Sequence, residues 1–245
     1  DEEDPIIKTW QKVFPRLFQP LSQMPENLIK HLRYPEVFFS AQRDILLTYH
    51  MTDPKAFYEQ EDYWSLPTQI YGDSEELMDP YYVTLRLPEE AQSEFLLMQP
   101  YTPREKRNMI SWLAGRCDPP HYGELVLYTL PKDTNIYGPM QIEARIGQNP
   151  EIAEMTILWN QNQSRLIRGN LLVIPIDGFL LYAEPFYIVS EQGQIPEFKK
   201  IILAYGEKIV IGDNLSEAVQ KLNAAHGFEA TAIRREESSH PEAID

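Results

Sequence analysis

The densest cluster of reactive side chains is Arg116-Cys117-Asp118-Pro119-Pro120-His121-Tyr122-Gly123, where a thiol, a carboxylate and an imidazole fall within five positions. A nucleophilic cysteine needs a base and positive surroundings to hold a thiolate. The competing reading is a rigid Pro-Pro connection from a helix into a strand at 124–130. The five histidines (His31, His50, His121, His226 and His240) have no i, i+3 or i, i+4 histidine partner. A helical metal site built from paired histidines is therefore excluded. No GxSxG elbow, GxxxxGK[ST] loop, HExxH or GxGxxG occurs. Asp73, Glu75, Glu76 and Asp79 are hard oxygen ligands of the kind calcium takes. Their spacing is not that of an EF-hand, so a solvated acidic loop is the default. No metal and no cofactor are expected.

Aromatic residues give the softer signal. Tyr58, Tyr63 and Trp64 cluster after a helix start at Asp53-Pro54, and Tyr81-Tyr82 follow the acidic loop. A tyrosine has an apolar body and a polar tip, which suits recognition of sugars, peptides or lipid headgroups. The same residues also serve to anchor a loop to a core. Tyr58, Tyr63, Trp64, His121 and Asp133 are the ligand-binding candidates, and no catalytic set stands out. Arg104, Lys106 and Arg107 are the densest basic cluster, too small for a nucleic-acid footprint. Asn162-Gln163-Ser164 and Asn214-Leu215-Ser216 are glycosylation sequons that matter only in a eukaryotic secretory route.

The elements that must position these groups are punctuated by proline, 20 of 245 residues. Proline fits the first turn of a helix because its φ is already helical and its missing N–H has no partner there. Helices are expected after Tyr34-Pro35, Asp53-Pro54, Thr102-Pro103, Gly138-Pro139, Asn149-Pro150 and Asn214. The second of this series carries the stripe-free short run to about Gln60. The first carries an apolar stripe of Val37, Phe38, Ala41, Ile45 and Tyr49. The helix at 102–115 is expected to bury Met109, Trp112 and Leu113 and to stop at Gly115. Strands are expected at 81–87, 95–99, 124–130, 171–176, 179–189, 201–205 and 208–211. Asp177-Gly178 and Gly206-Glu207 mark two hairpins, and Pro175 and Pro185 must sit at edges or bulges. The fold class is α+β, a mostly antiparallel sheet with helices packed over it. Residues 1–227 form this domain, with a helical N-terminal subdomain at about 1–72, and 228–245 is a tail or linker.

Composition bounds the function. With 37 acids against 22 Lys and Arg, the formal net charge is −15. That balance disfavours nucleic acid and anionic membrane surfaces as partners. Cys117 alone forms no internal disulfide and no Cys-based zinc site. The most apolar stretch, 170–189, contains Asp177, Glu184 and two prolines, so it reads as two strands rather than a membrane helix. Asp1-Glu2-Glu3-Asp4 is the reverse of a basic signal-peptide start. A first residue other than Met reads as a piece cut from a longer chain.

Four long motifs then carry a resemblance: Leu32–Pro67 (LRYPEVFFSAQRDILLTYHMTDPKAFYEQEDYWSLP), Tyr81–Pro88 (YYVTLRLP), Arg104–Ala153, which contains GRCDPPHYGELVLYTLP and YGPMQIEARIGQNPEIA, and Arg168–Ser190 (RGNLLVIPIDGFLLYAEPFYIVS). In this order they resemble uncharacterised protein family 0182, large prokaryotic multi-pass membrane proteins of unknown function. The resemblance covers residues 5–222 and fades in the tail. It implies a portion of the extracytoplasmic soluble part of such a protein, at the cell membrane. The implied partners are the membrane-spanning part of its own longer chain and an unknown small molecule, peptide or envelope component. The expected function is binding of that ligand or partner, coupled to the membrane part. The alternatives are a cell-envelope hydrolase using carboxylates such as Asp118, Asp133 and Glu143, or a structural scaffold.

Overall fold

Side chains capping exposed N–H groups begin several of the helices. In the computed structural model, which describes residues 4–88, 90–131, 134–160, 164–176, 178–190, 193 and 195–226, Asp4 accepts the N–H groups of Ile6 and Ile7 at the start of α1 (Pro5–Val13). A short α2 (Glu26–Ile29) and the longer α3 (Glu36–Tyr49) follow. Asp53 accepts the N–H of Ala56 and starts α4 (Pro54–Glu59). Each cap satisfies a donor that has no partner inside its helix.

The strands come next. They are β1 (Trp64–Ser65), β2 (Thr68–Tyr71), β3 (Ser74–Leu77), β4 (Tyr81–Arg86), β5 (Ser93–Pro103), β6 (Ser111–Arg116) and β7 (Leu125–Thr129). Two helices, α5 (Pro139–Gln148) and α6 (Pro150–Trp159), separate these from β8 (Ser164–Arg168), β9 (Leu172–Ile176), β10 (Phe179–Ser190), β11 (Glu197–Tyr205) and β12 (Lys208–Gly212). The last helix is α7 (Leu215–His226). All pairings are antiparallel. β5 is the spine of the first sheet, with β6 then β7 on one side and β4 and β1 end to end on the other. β10 is the spine of the second, with β11 then β12 on one side and β9 and β8 on the other. The fold class is thus α+β.

Alternation along the two spines sorts the core into layers. Leu96 and Met98 of β5, with Trp112 and Ala114 of β6, meet Tyr182 and Phe186 of β10 and Ile202 and Ala204 of β11 in one central cluster. Ile142, Ile146 and Ile152 of α5 and α6 close its flank. Leu97, Tyr101 and Leu113 point the other way, beneath Phe39 of α3. Ala183 and Leu203 point away from the centre on the second sheet, beneath Ala218 and Leu222 of α7. The period of two thus places one helix outside each of two stacked sheets.

Three local expectations are corrected. The helix at 102–115 is instead the end of β5, a turn and β6. Every residue of β6 is buried, because this strand has core on both faces. Such an apolar run reads equally as one side of a helix until a second layer decides it. Gly115 is no helix stop. A Cβ there would lie 2.9 Å from the Tyr34 ring, so glycine admits the chain leading into α3. The acidic stretch Asp73–Asp79 is not a plain loop: residues 74–77 form β3, which pairs with β2 while staying exposed. On α3 the stripe of Val37, Phe38, Ile45 and Tyr49 faces outward, with Val37 81 % exposed, and Phe39 takes the buried position. On α7, Ala218 and Leu222 are buried while Leu215 is exposed.

The hairpins fall where the turn residues place them. β9 and β10 pair from Ile176 and Phe179 onward, with Asp177 of the expected turn outside the described residues, and β11 and β12 pair across Gly206-Glu207. Gly206 has φ 53 and Glu207 does not share a positive φ, as a type II′ turn requires. Pro175 lies on edge strand β9. Pro185 lies where β10 passes from β9 to β8, with a register shift against β11 just beyond it, so its missing donor costs no ladder bond.

Candidate functional site

The loop with the thiol dismantles as a reactive set. Cys117 is buried and accepts the Tyr34 N–H at 3.3 Å, and burial pushes its pKa upward. Asp118 accepts the Phe95 N–H at 2.7 Å. His121 stands 3.1 Å from both carboxylate oxygens of Glu124. The three side chains serve three different partners, and a raised thiol pKa opposes thiolate formation. Neighbouring Arg116 is instead held by Glu94, Glu90 and Glu124, and the Glu94 hydrogen bonds raise its pKa.

The buried carboxylates also have structural partners. Arg168 on β8 donates through Nε to Glu184 Oε1 at 2.6 Å and through a terminal nitrogen to Glu184 Oε2 at 2.8 Å. It also donates to Glu143 of α5, whose other oxygen accepts the Ile70 N–H at 3.1 Å. Burial pushes Glu184 up to about 8, and Glu143 beside it adds to the rise. Burial also raises Glu143. Two carboxylates on one guanidinium tie α5, β2, β8 and β10 together. Asp118 and Glu143 have separate partners in separate clusters, and Asp133 lies outside the described residues. Among the described residues, no three His, Cys, Asp or Glu side chains gather into a group able to hold a metal.

Two neighbouring clefts stand out among the described residues. The first has a volume of about 580 Å³ and lies between residues 59–64, 103–106, 108–110, 129–131 and 134. Gln60 ends α4 with φ 53 and turns the chain so that Tyr63 and Trp64 enter this wall. The guanidinium of Arg104 lies 5.4 Å from the Tyr63 ring centre, and the Arg104 backbone N–H donates to the Tyr63 carbonyl at 2.9 Å. Trp64 is almost covered. His50 stacks on it at 3.7 Å and Tyr101 leans on it at 5.3 Å, so Tyr63 presents the more open ring. Glu59, Glu61, Asp62, Arg104, Glu105 and Lys106 make the rim charged. Tyr58 is 88 % exposed and outside this lining, and His121 is in neither cleft.

The second cleft, about 510 Å³, is walled by aromatic rings from both sheets. Trp112 and Tyr128 stack at 4.2 Å, and Phe179 meets Tyr205 edge to face at 5.4 Å. The Tyr182 hydroxyl donates to the Tyr137 carbonyl. Arg145 lies 4.7 Å from the Tyr137 ring centre and bonds the carbonyls of Gly206 and Glu207, each at 2.7 Å. Arg86 and Asn135 supply polar lining. Thr129, Leu130 and Thr134 line both clefts, so the two meet at the end of β7. Sequence reasoning missed this aromatic wall, because its rings come from positions 112 to 205 with no run to find.

A layered α+β domain carrying a two-part cleft defines a class by fold alone, and no solved structure matches it. Sequence comparison is specific: the model of the uncharacterised protein family UPF0182 matches residues 1–159. The chain is 51% identical over 226 residues to a UPF0182 protein of Sulfurovum sp. (strain NBC37-1), covering 92% of this chain and 25% of the relative. It is 50% identical over 245 residues to one of Desulforamulus reducens, covering 100% of this chain and 26% of the relative. A third, from Methanospirillum hungatei, is 46% identical over 221 residues. The chain belongs to the UPF0182 family, and it spans about a quarter of the length of the relatives it matches. Among the described residues no helix is long and apolar enough to cross a membrane.

Proposed function

We propose that these residues form a non-enzymatic binding domain of a longer, membrane-tethered protein, facing outside the cytoplasm and coupled to the tethered part. The observation that carries this reading is the pair of clefts joined at Thr129, Leu130 and Thr134. An apolar wall with a few placed polar groups and a volume of roughly 300–1,000 Å³ is the usual form of a small-molecule site. The ligand that fits is an elongated envelope component. Its ring or aliphatic face lies on Tyr128, and its polar groups reach Arg104 and Lys106.

The test is a thermal-shift screen against envelope sugars, short peptides and lipid headgroups. A ligand that binds only the native state at a hundred times its Kd adds about 2.7 kcal/mol. A hit whose shift is lost in Tyr128→Ala supports the reading. A set of such compounds that leaves the melting point unmoved sinks it. Orientation is tested separately, since external protease should reach this segment in intact cells, and protection there contradicts the outward placement.

A further inference from the structure

The strongest feature outside the clefts is the stretch from Asp4 to Arg33, in which no residue is buried. Solvent-facing segments of this kind are ordinarily polar. This one exposes Ile6, Trp10, Val13 and Phe14 on and just after α1, then Leu17 and Leu28. The first four fall at i, i+4, i+7 and i+8, a single helical face, with Lys8 and Lys12 on the opposite side. From Pro5 to Pro25 the segment has Lys8, Lys12 and Arg16 and no acid, inside a chain of net charge −15. The outward stripe of α3 is a second exposed apolar face in the same N-terminal part of the chain.

We propose that this arm docks on the part of the longer polypeptide outside these residues, against an apolar protein surface with carboxylates near Lys12 and Arg16. Three observations favour that occupant. First, the relatives keep about three quarters of their length outside the match, since 25% of the first is covered. Second, Pro15, Pro20 and Pro25 break the arm into short pieces. Such a path follows a shaped protein surface, whereas a flat lipid interface favours one continuous amphipathic helix. Third, a nine-residue helix is marginal alone in water and gains most of its stability from packing its apolar face. The inference does not depend on the clefts holding a ligand.

Hydrogen exchange on the full-length polypeptide and on the 245-residue chain decides the matter without a variant. Amides of residues 6–17 should exchange at least ~10-fold more slowly in the full-length polypeptide. Trp10→Asp should remove that protection while leaving the melting point of the 245-residue chain unchanged. Equal exchange in the two chains overturns the proposal. Equivalent protection of the 245-residue chain by phosphatidylglycerol vesicles overturns it in favour of a lipid surface. Protection that grows with the concentration of the 245-residue chain overturns it in favour of a second copy. A failed ligand screen leaves all these readouts intact, so the two readings fail separately.

Discussion

Replacing Arg168 by methionine removes the cation that two buried carboxylates share. Glu143 and Glu184 are 2% and 0% exposed, and Arg168 bonds both. Breaking a buried pair by deleting one partner costs about 3–5 kcal/mol, because the remaining charge is left uncompensated. For a domain of this size each kcal/mol lowers the melting point by roughly 2–4 °C, so a drop of about 6–20 °C is expected at pH 8. Protonation sets how that cost varies. Burial raises Glu184 from 4.5 to about 8, so the folded state binds the extra proton between those values. More protons in the folded state make stability fall as pH rises through that window. R168M can neutralise its carboxylates at low pH, so its deficit should shrink toward pH 5 and widen toward pH 8. Glu184→Gln supplies the control. It mimics the protonated acid, should cost less than about 1.5 kcal/mol at pH 7, and should flatten the pH profile. Urea melts of the three proteins at pH 5, 6.5 and 8 read all of this. A deficit in R168M below about 1 kcal/mol at pH 8, or an E184Q deficit equal to it, refutes the reasoning.

Other substitutions probe separate parts of the fold. Gly115→Val should lose about 2 kcal/mol or more by denaturant melt, since its Cβ would press on Tyr34 and Phe39. His50→Leu removes the ring nitrogens that stand 2.7 and 2.9 Å from the carbonyls of Leu46 and Asp62 and should cost about 1–3 kcal/mol. In the native state Cys117 should react with a thiol reagent far more slowly than in urea, because it is buried with a raised pKa; equal rates would contradict its placement. Arg145→Ala should loosen the Gly206 turn against α5 and speed exchange of the β11–β12 hairpin amides, with little change in the first sheet.

The sequence settled what depends on near neighbours. Helix starts at Asp53-Pro54, Gly138-Pro139 and Asn149-Pro150 are local, because proline and a capping side chain act within one turn. The hairpins at Asp177-Gly178 and Gly206-Glu207 are local for the same reason. Asn214, read from the sequence as a helix start as well as part of a sequon, caps α7 by accepting the Glu217 N–H. Family membership was legible as well, since it rests on long ordered motifs. Residues 102–115 were misread because an apolar run carries no mark of how many faces will be covered. Only a layer on each side of β6 made it a strand.

The clefts belong to the same second kind of information. Tyr63 and Trp64 stood out as neighbours in sequence, and both line the charged cleft. Trp112, Tyr128, Tyr137 and Tyr182 meet only because two sheets stack with their alternate side chains interleaved. Arg168 finds Glu143 only because α5 packs beside the second sheet. Composition and motif order alone determined an acidic α+β domain of the UPF0182 family, since charge, turn chemistry and periodicity act over a few residues. Tertiary structure decided which apolar stripe is buried, which carboxylates share a cation and where the clefts open. Those outcomes depend on contacts between segments far apart in the chain, and no local pattern encodes them.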